Sequence, residues 1–228
     1  MQTKSKEIIV TADGSPSLFV PSLKETYHSR HGAQTESNYV FIEKGLKHWL
    51  ALHSSVGEIR ILEVGLGTGL NAFLTHNAAQ KNQLNIYYHS LEKYPLSLEL
   101  ISQMDFGTYL GKEYNREIFR PLHESPWEVP IRLSPYFQIL KSEMGFEEFH
   151  TDEKFDLLYY DAFGAHAQPE MWMDERMAQA ASLLKSGGVW VSYCAKGSVR
   201  RALEASGFLV ERLEGPPGKR EMLRAIQP

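Results

Sequence analysis

The chain has a single cysteine, Cys194, among 228 residues. An intramolecular disulfide framework is thereby excluded, and a reducing, cytoplasmic location is the expectation. No apolar run approaches the ~20 residues of a membrane span, and the opening Met1-Gln2-Thr3-Lys4-Ser5-Lys6-Glu7 lacks the hydrophobic core of a signal peptide. Internal repeats and low-complexity linkers are missing as well. Nine histidines are present, yet His28/His31, His48/His53 and His89 have no cysteine or carboxylate partners at ligand spacing, so no metal is expected. What is left is a globular chain, 43% hydrophobic, long enough for one well-buried domain with a small appendage.

Residues 61–71 carry the strongest local signal, Ile-Leu-Glu-Val-Gly-Leu-Gly-Thr-Gly-Leu-Asn. An apolar strand runs through Glu63 into Gly65, Gly67 and Gly69, and a helix-like stretch follows from Asn71. Glycines are needed where the backbone turns sharply and a ligand approaches with no Cβ in the way, and the free N–H groups of the following helix add favourable polarity. A dinucleotide fingerprint would place its third glycine at position 70, which is Leu70. The earlier glycine disfavours NAD and favours S-adenosyl-L-methionine. Glu63, at the strand end, can receive that cofactor's ammonium group directly or through water. A second β-branched and aromatic strand over 85–91 ends at Glu92, about where such folds grip a ribose. An isolated Glu92 beside Lys93 would otherwise read as an exposed loop acid.

Strand and helix patterns alternate along the rest of the chain, the mark of a mostly parallel sheet covered on both faces. Short strands are predicted over 7–11 and 17–20, and a helix over 35–52. The nucleotide unit then has strands over 59–64 and 85–91 and helices over 71–79 and 96–104. Later strands fall at 136–141, 155–161, 188–195, 208–213 and 221–226, with helices over 169–184 and 198–205. Residues 105–135 contain Pro121, Pro126, Pro130 and Pro135 with scattered aromatics, and read as an insertion beside the site. The expected fold is a doubly wound, Rossmann-like class I methyltransferase: a seven-stranded sheet with its last strand antiparallel. The expected division is an N-terminal extension over 1–55 and a catalytic domain over 56–228.

Function in such a sheet sits at the carboxyl ends of the central strands. The strand over 155–160 is nearly all apolar and runs into Asp161-Ala162-Phe163-Gly164, so Asp161 emerges at that crevice. A loop acid capping the following helix is the plain alternative. The functional reading is that Asp161 and the neighbouring Phe163 hold a nucleophilic amine. Glu143, after the strand over 136–141, is the expected partner of the adenine amine, and a first-turn helix acid is its alternative.

Together the motifs resemble those of a known family, the methyltransferases that complete 5-methylaminomethyl-(2-thio)uridine at the wobble position of certain tRNAs. The carrying segments are Tyr27-His28-Ser29, Glu36-Ser37, Glu63 to Asn71, Glu92-Lys93-Tyr94-Pro95-Leu96, Asp161-Ala162-Phe163, Pro169-Glu170-Met171-Trp172, Tyr193 to Gly197 with Arg200-Arg201, and Gly218-Lys219-Arg220-Glu221-Met222. Ala165 and Ala167 stand where the family has a proline and a lysine, which puts any RNA-gripping role of that lysine in doubt. The resemblance implies S-adenosyl-L-methionine as cofactor, held by Glu63, Gly65, Gly67, Gly69, Asn71, Glu92, Lys93, Glu143 and Asp161. It implies tRNA as partner, at the anticodon stem-loop, with no membrane association. Fused family members carry a flavin-dependent oxidase that has no counterpart in these residues, so methyl transfer alone is expected and the amine would come from a separate enzyme.

Charge is distributed unevenly. Residues 185–228 hold eight Lys/Arg against four Asp/Glu, while the whole chain is at −4. This basic end is the expected tRNA face, with Lys196, Arg200, Arg201, Lys219, Arg220 and Arg224 as candidates; an ordinary solvated face is the alternative, above all for Arg224. Phe163 and Trp172 are the candidate aromatic platforms for an unstacked base, beside Tyr27 and Ser29. Two other functions fit the same residues: an N-methyltransferase of a small-molecule or protein amine, and a nucleoside- or RNA-binding protein without catalysis.

Overall fold

The structure is a computed structural model that describes residues 5–53, 57–104 and 116–228. The aromatics Phe106, Tyr109 and Tyr114 of the predicted insertion lie outside the described residues. An N-terminal three-stranded antiparallel sheet comprises β1 (Glu7–Val10), β2 (Pro16–Val20) and β3 (Glu25–Thr26). A continuous helical rod follows: α1 (Ala33–Ser37), a π-helical stretch (Asn38–Leu46) and α2 (Lys47–Leu52). Its start is capped from the preceding turn. Asp13 Oδ2 accepts the Thr35 N–H at 3.0 Å and the Thr35 hydroxyl at 2.8 Å, and Ser15 Oγ accepts the Ala33 N–H at 3.1 Å.

The main unit alternates β4 (Ile59–Val64), α3 (Leu70–Asn82), β5 (Ile86–Leu91), α4 (Leu98–Ser102), α5 (Arg116–Glu124), β6 (Ile131–Ser134), β7 (Phe137–Ser142), β8 (Phe155–Tyr160), α6 (Asp174–Leu183), β9 (Leu184–Ser192), α7 (Gly197–Ala205), β10 (Leu209–Glu214) and β11 (Glu221–Ile226). These strands form one eight-stranded sheet in the order β10-β11-β9-β8-β4-β5-β7-β6. Strands β9, β8, β4, β5 and β7 are parallel, and β11 runs antiparallel between β9 and β10. The expected mostly parallel sheet with the last strand of the chain antiparallel is therefore present, but it has eight strands. The eighth, β6, pairs antiparallel with β7 at the edge. It falls inside the stretch read as irregular because two prolines flank it, although Ile131 and Leu133 alternate with Arg132 and Ser134 as an edge strand requires.

Burial follows strand position. β8 is buried at all six residues, as a central parallel strand covered on both faces must be. The helical rod supplies one cover, with Val40, Phe41, Leu46 and Trp49 packing into the cluster of Ile61, Leu157, Tyr159, Val189 and Val191. Gly45 permits this approach, since a Cβ there would stand 3.1 Å from Val191 Cγ1 and 3.3 Å from Tyr159 Cε1. On the other face Met177, Ala180, Leu183, Val199 and Leu203 of α6 and α7 cover Leu158, Tyr160 and Trp190. After β7 the chain crosses back to place β8 on the far side of β4, which opens a crevice at the carboxyl ends of β4 and β8.

Candidate functional site

A cavity of about 640 Å³ occupies that crevice. Its floor is the loop after β4, where Gly65, Gly67 and Gly69 have φ of 93°, 52° and 74°. At Gly65 an added Cβ would stand 2.8 Å from the Asp161 carbonyl oxygen, so the two strand-end loops touch through backbone alone. Gly69 precedes α3, whose second residue Asn71 is 4% exposed and lines the cavity. Asn71 Nδ2 donates to Asp161 Oδ2 at 2.8 Å, and Asn71 Oδ1 is buried without a hydrogen-bond partner.

Asp161 reaches the cavity because β8 ends at Tyr160 and its own N–H bonds to the Val64 carbonyl at 3.0 Å. Burial pushes its carboxyl up to about 7; Asn71 opposes this, Glu36 adds to it and Lys219 opposes it. Phe163 lines the same end and meets Tyr27 edge to face, with ring centroids 5.0 Å apart. Tyr27, His28 and Ser29 come from the segment after β3, and His28 bridges Ser17 Oγ (3.0 Å) and Thr68 Oγ1 (3.2 Å) of the glycine loop. At the far end, Glu92 Oε2 accepts the Gly67 N–H at 2.9 Å and Oε1 accepts the Tyr94 N–H at 2.8 Å. Lys93 lines that end and pairs with Glu147, beside Met144 and Phe146.

The predicted residues thus divide. Gly65, Gly67, Asn71, Glu92, Lys93, Asp161, Phe163, Tyr27, Ser29, Lys196, Lys219 and Arg220 line one cavity. Gly69 is off the lining, between the lining residues Thr68 and Leu70, and its Cα faces His123 and Leu122. Glu63 is fully buried behind the cavity wall, with the Ser90 hydroxyl donating to Oε2 at 2.5 Å, and burial raises its carboxyl to about 8.

Several expectations are corrected. Glu143 is exposed off the cavity, its N–H bonded to Glu128 Oε1 at 2.7 Å; strand β7 continues to Ser142, and the turn carries Met144 rather than Glu143 to the wall. Trp172 is 5% exposed in the core and donates Nε1–H to the Phe163 carbonyl at 2.8 Å, so it supports Phe163 and offers no stacking face. Arg200 and Arg201 keep their expected place on α7, outside the cavity lining, Arg200 paired with Glu204 at 2.6 Å and Arg201 exposed. Arg224 is 8% exposed, bonded to Glu211 at 2.6 Å and to the Lys44 carbonyl at 3.2 Å, which makes it a strand-to-helix tie.

Three lining residues escaped sequence reasoning as site residues. Glu36 of α1 is 7% exposed, accepts the Ser29 N–H at 3.2 Å and pairs with Lys219 at 2.5 Å. Tyr193, just past β9, donates its hydroxyl to the Ala162 carbonyl at 2.8 Å and carries Lys219 Nζ 3.8 Å from its ring centroid. Glu147, paired with Lys93, lines the cavity where Glu143 does not. The strand-end rule that found Asp161 would have found Tyr193; nothing in sequence spacing links Glu36 to Lys219. Among the described residues there is no cluster of three or more metal-ligating side chains, and no helix long and apolar enough to cross a membrane.

A family model described as S-adenosyl-L-methionine-dependent methyltransferase matches residues 141–228. The tRNA 5-methylaminomethyl-2-thiouridine biosynthesis bifunctional protein MnmC of Pseudoalteromonas atlantica is 28% identical over 243 residues, covering 99% of this chain and 34% of that protein. Its counterpart in Hydrogenovibrio crunogenus is 31% identical over 212 residues, covering 87% of this chain and 31% of that protein. The chain spans about a third of the length of these curated relatives. The crystal structure of MNMC2 from Aquifex aeolicus superposes with a TM-score of 0.76 at 26% identity, covering 99% of this chain and 72% of that one. Spermidine synthase from Thermotoga maritima, at 14% identity and a TM-score of 0.51, shares the fold alone. The chain therefore has the class I S-adenosyl-L-methionine-dependent methyltransferase fold, and the resemblance drawn from its motifs extends through nearly its whole length to the MnmC proteins.

Proposed function

We propose that the protein transfers a methyl group from S-adenosyl-L-methionine to the 5-aminomethyl nitrogen of 5-aminomethyl-(2-thio)uridine at the tRNA wobble position. The observation that carries this reading is Asp161, presented at the crevice by β8, fixed by Asn71 at 2.8 Å and flanked by Phe163 and Tyr27. Similarity to the MnmC proteins over 99% of the chain supports the choice of a tRNA-borne amine.

The residues fit the cofactor. A cavity of about 640 Å³ suits a nucleoside-sized ligand. Glu92, held by two backbone N–H groups, presents a carboxylate for a ribose diol. Met144, Phe146 and Leu91 give an apolar slot for a base, and the unpartnered Asn71 Oδ1 is an acceptor for an ammonium group. Glu63 acts from behind, holding Ser90 and the strand ends rather than lining the slot. When bound, the cofactor supplies a methyl group already activated on a sulfonium.

The chain's own task is to align the amine and present it as a free base. An alkylamine with pKa near 10 arrives protonated. Asp161, its carboxyl raised toward neutrality by burial, accepts a proton from the ammonium: an N–H bond breaks, an O–H bond forms, and the lone pair is freed. Phe163 and Tyr27 exclude water around that nitrogen. Lys196 and Arg220, at the cavity and on the basic C-terminal part, are the phosphate contacts, with exposed Arg201 beside them on α7.

The test is transfer from labelled S-adenosyl-L-methionine to tRNA from a strain lacking this modification, followed by nucleoside analysis, with Asp161→Ala in parallel. Label on 5-methylaminomethyluridine with the wild type only is the expected result. Absence of label on tRNA with intact cofactor binding would redirect the assignment to other amines.

A further inference from the structure

Inside the cavity the chain holds an alkylammonium ion of its own. Lys219 Nζ lies 2.5 Å from Glu36 Oε2 and 3.8 Å from the ring centroid of Tyr193. A buried carboxylate and an aromatic face are the two groups that recognise an ammonium cation away from water. Both are held by further hydrogen bonds. Glu36 sits on α1, which Asp13 and Ser15 anchor, and its second oxygen takes the Ser29 N–H. Tyr193 is tied by its hydroxyl to the carbonyl of Ala162, the residue after Asp161. Lys219 comes from a loop, between β10 and β11, where its neighbours Gly218 and Arg220 are exposed, and its ammonium sits on a four-carbon stem.

We propose that the Glu36 carboxylate and the Tyr193 ring form the subsite that receives the substrate's alkylammonium group, and that Lys219 fills this subsite until nucleic acid draws it to the rim. The proposal rests on the reaction assigned above. The substrate amine, as a cation, has the chemistry of the lysine head group, and two cations do not share one buried carboxylate. At the cavity mouth Lys196 and Arg220 line the wall with exposed side chains, and phosphates seated there attract a third cation. A free nucleoside brings no phosphate and must compete with Lys219 directly. Lys219 is therefore a specificity-determining residue that favours the RNA-borne amine over the free one, and Glu36 with Tyr193 delivers the ammonium beside the carboxylate that takes its proton.

The test is binding of 5-aminomethyluridine nucleoside and of a stem-loop carrying it, measured by calorimetry with S-adenosyl-L-homocysteine present so that no transfer runs. Lys219→Met is expected to bind the free nucleoside about tenfold more tightly than wild type and the stem-loop less tightly, collapsing the preference for RNA. Lys219→Arg should retain the wild-type preference. Adding Glu36→Gln to Lys219→Met should abolish the gain for the nucleoside. An unchanged preference in Lys219→Met, or nucleoside binding in the double variant as tight as in Lys219→Met, overturns the proposal. A wild-type enzyme that transfers no methyl to the stem-loop sinks the reaction itself and the subsite with it, an outcome visible before any variant is made.

Discussion

Asn71 and Asp161, ninety residues apart in the chain, meet at 2.8 Å where the helix after β4 faces the loop after β8. The amide holds one carboxylate oxygen and leaves the other to the cavity. Asp161, shifted by burial to about 7, should set an acid limb near pH 7 in the rate profile. Asp161→Asn is expected to lose that limb and about 10²- to 10³-fold in kcat. Steady-state rates from pH 5.5 to 9 check both.

The same shift has a stability consequence with a definite sign. A carboxyl whose folded pKa is raised from 3.8 to about 7 contributes stability that is present below pH 4 and lost as pH rises through 7. Asp161→Asn should therefore be more stable than wild type at pH 8, by about 1–3 kcal/mol, and gain little at pH 4. Urea midpoints at the two pH values decide it. The Asp161 carboxylate is in this sense a folding cost.

His28 behaves oppositely. Burial first, with Lys219 adding and Asp13 opposing, lowers its pKa from 6.5 to about 4. It is neutral in the folded state, so its contribution is present above pH 6.5 and falls away as pH drops toward 4. Wild type should lose about 1–3 kcal/mol over that window through this group, a loss His28→Asn should lack. Since His28 ties Ser17 to Thr68, the variant should also bind cofactor more weakly at pH 7, measurable by calorimetry.

Gly65→Ala tests the contact between the two strand-end loops. The new methyl would meet the Asp161 carbonyl at 2.8 Å, on a backbone with φ of 93°. A loss of about 2 kcal/mol or more in stability is expected, together with loss of cofactor binding. Chemical denaturation and titration calorimetry give the two readouts.

Trp172 separates a stacking platform from a core support. Trp172→Phe keeps most of the packing and removes the bond to the Phe163 carbonyl, at about 1 kcal/mol, whereas Trp172→Ala should cost about 3–5 kcal/mol. RNA affinity of folded Trp172→Phe should stay within about twofold of wild type, because Trp172 is buried and does not itself line the cavity. A large loss of RNA affinity in that variant would restore the stacking role.

Local sequence was enough wherever periodicity and turn chemistry act over a few residues. The strand into Gly65, the strand leading to Glu92 and the nearly all-apolar β8 leading to Asp161 were legible because a buried parallel strand is mostly apolar and its carboxyl end needs a sharp turn. Edge strand β6 was hidden by flanking prolines, and Glu143 was displaced because one extra residue of strand decides which side chain faces the crevice. Residue type placed Trp172 at the ligand and Arg224 on a solvated or RNA-facing surface; packing buries both, each with its polar end bonded to a carbonyl or carboxylate. Most of all, the pairing of Glu36 with Lys219 joins the first helix to the last hairpin. No spacing rule reaches across that distance: sequence determined that a nucleoside-binding sheet would form, and only the closing of N-terminal helix and C-terminal hairpin over its crevice decided which charges face the ligand.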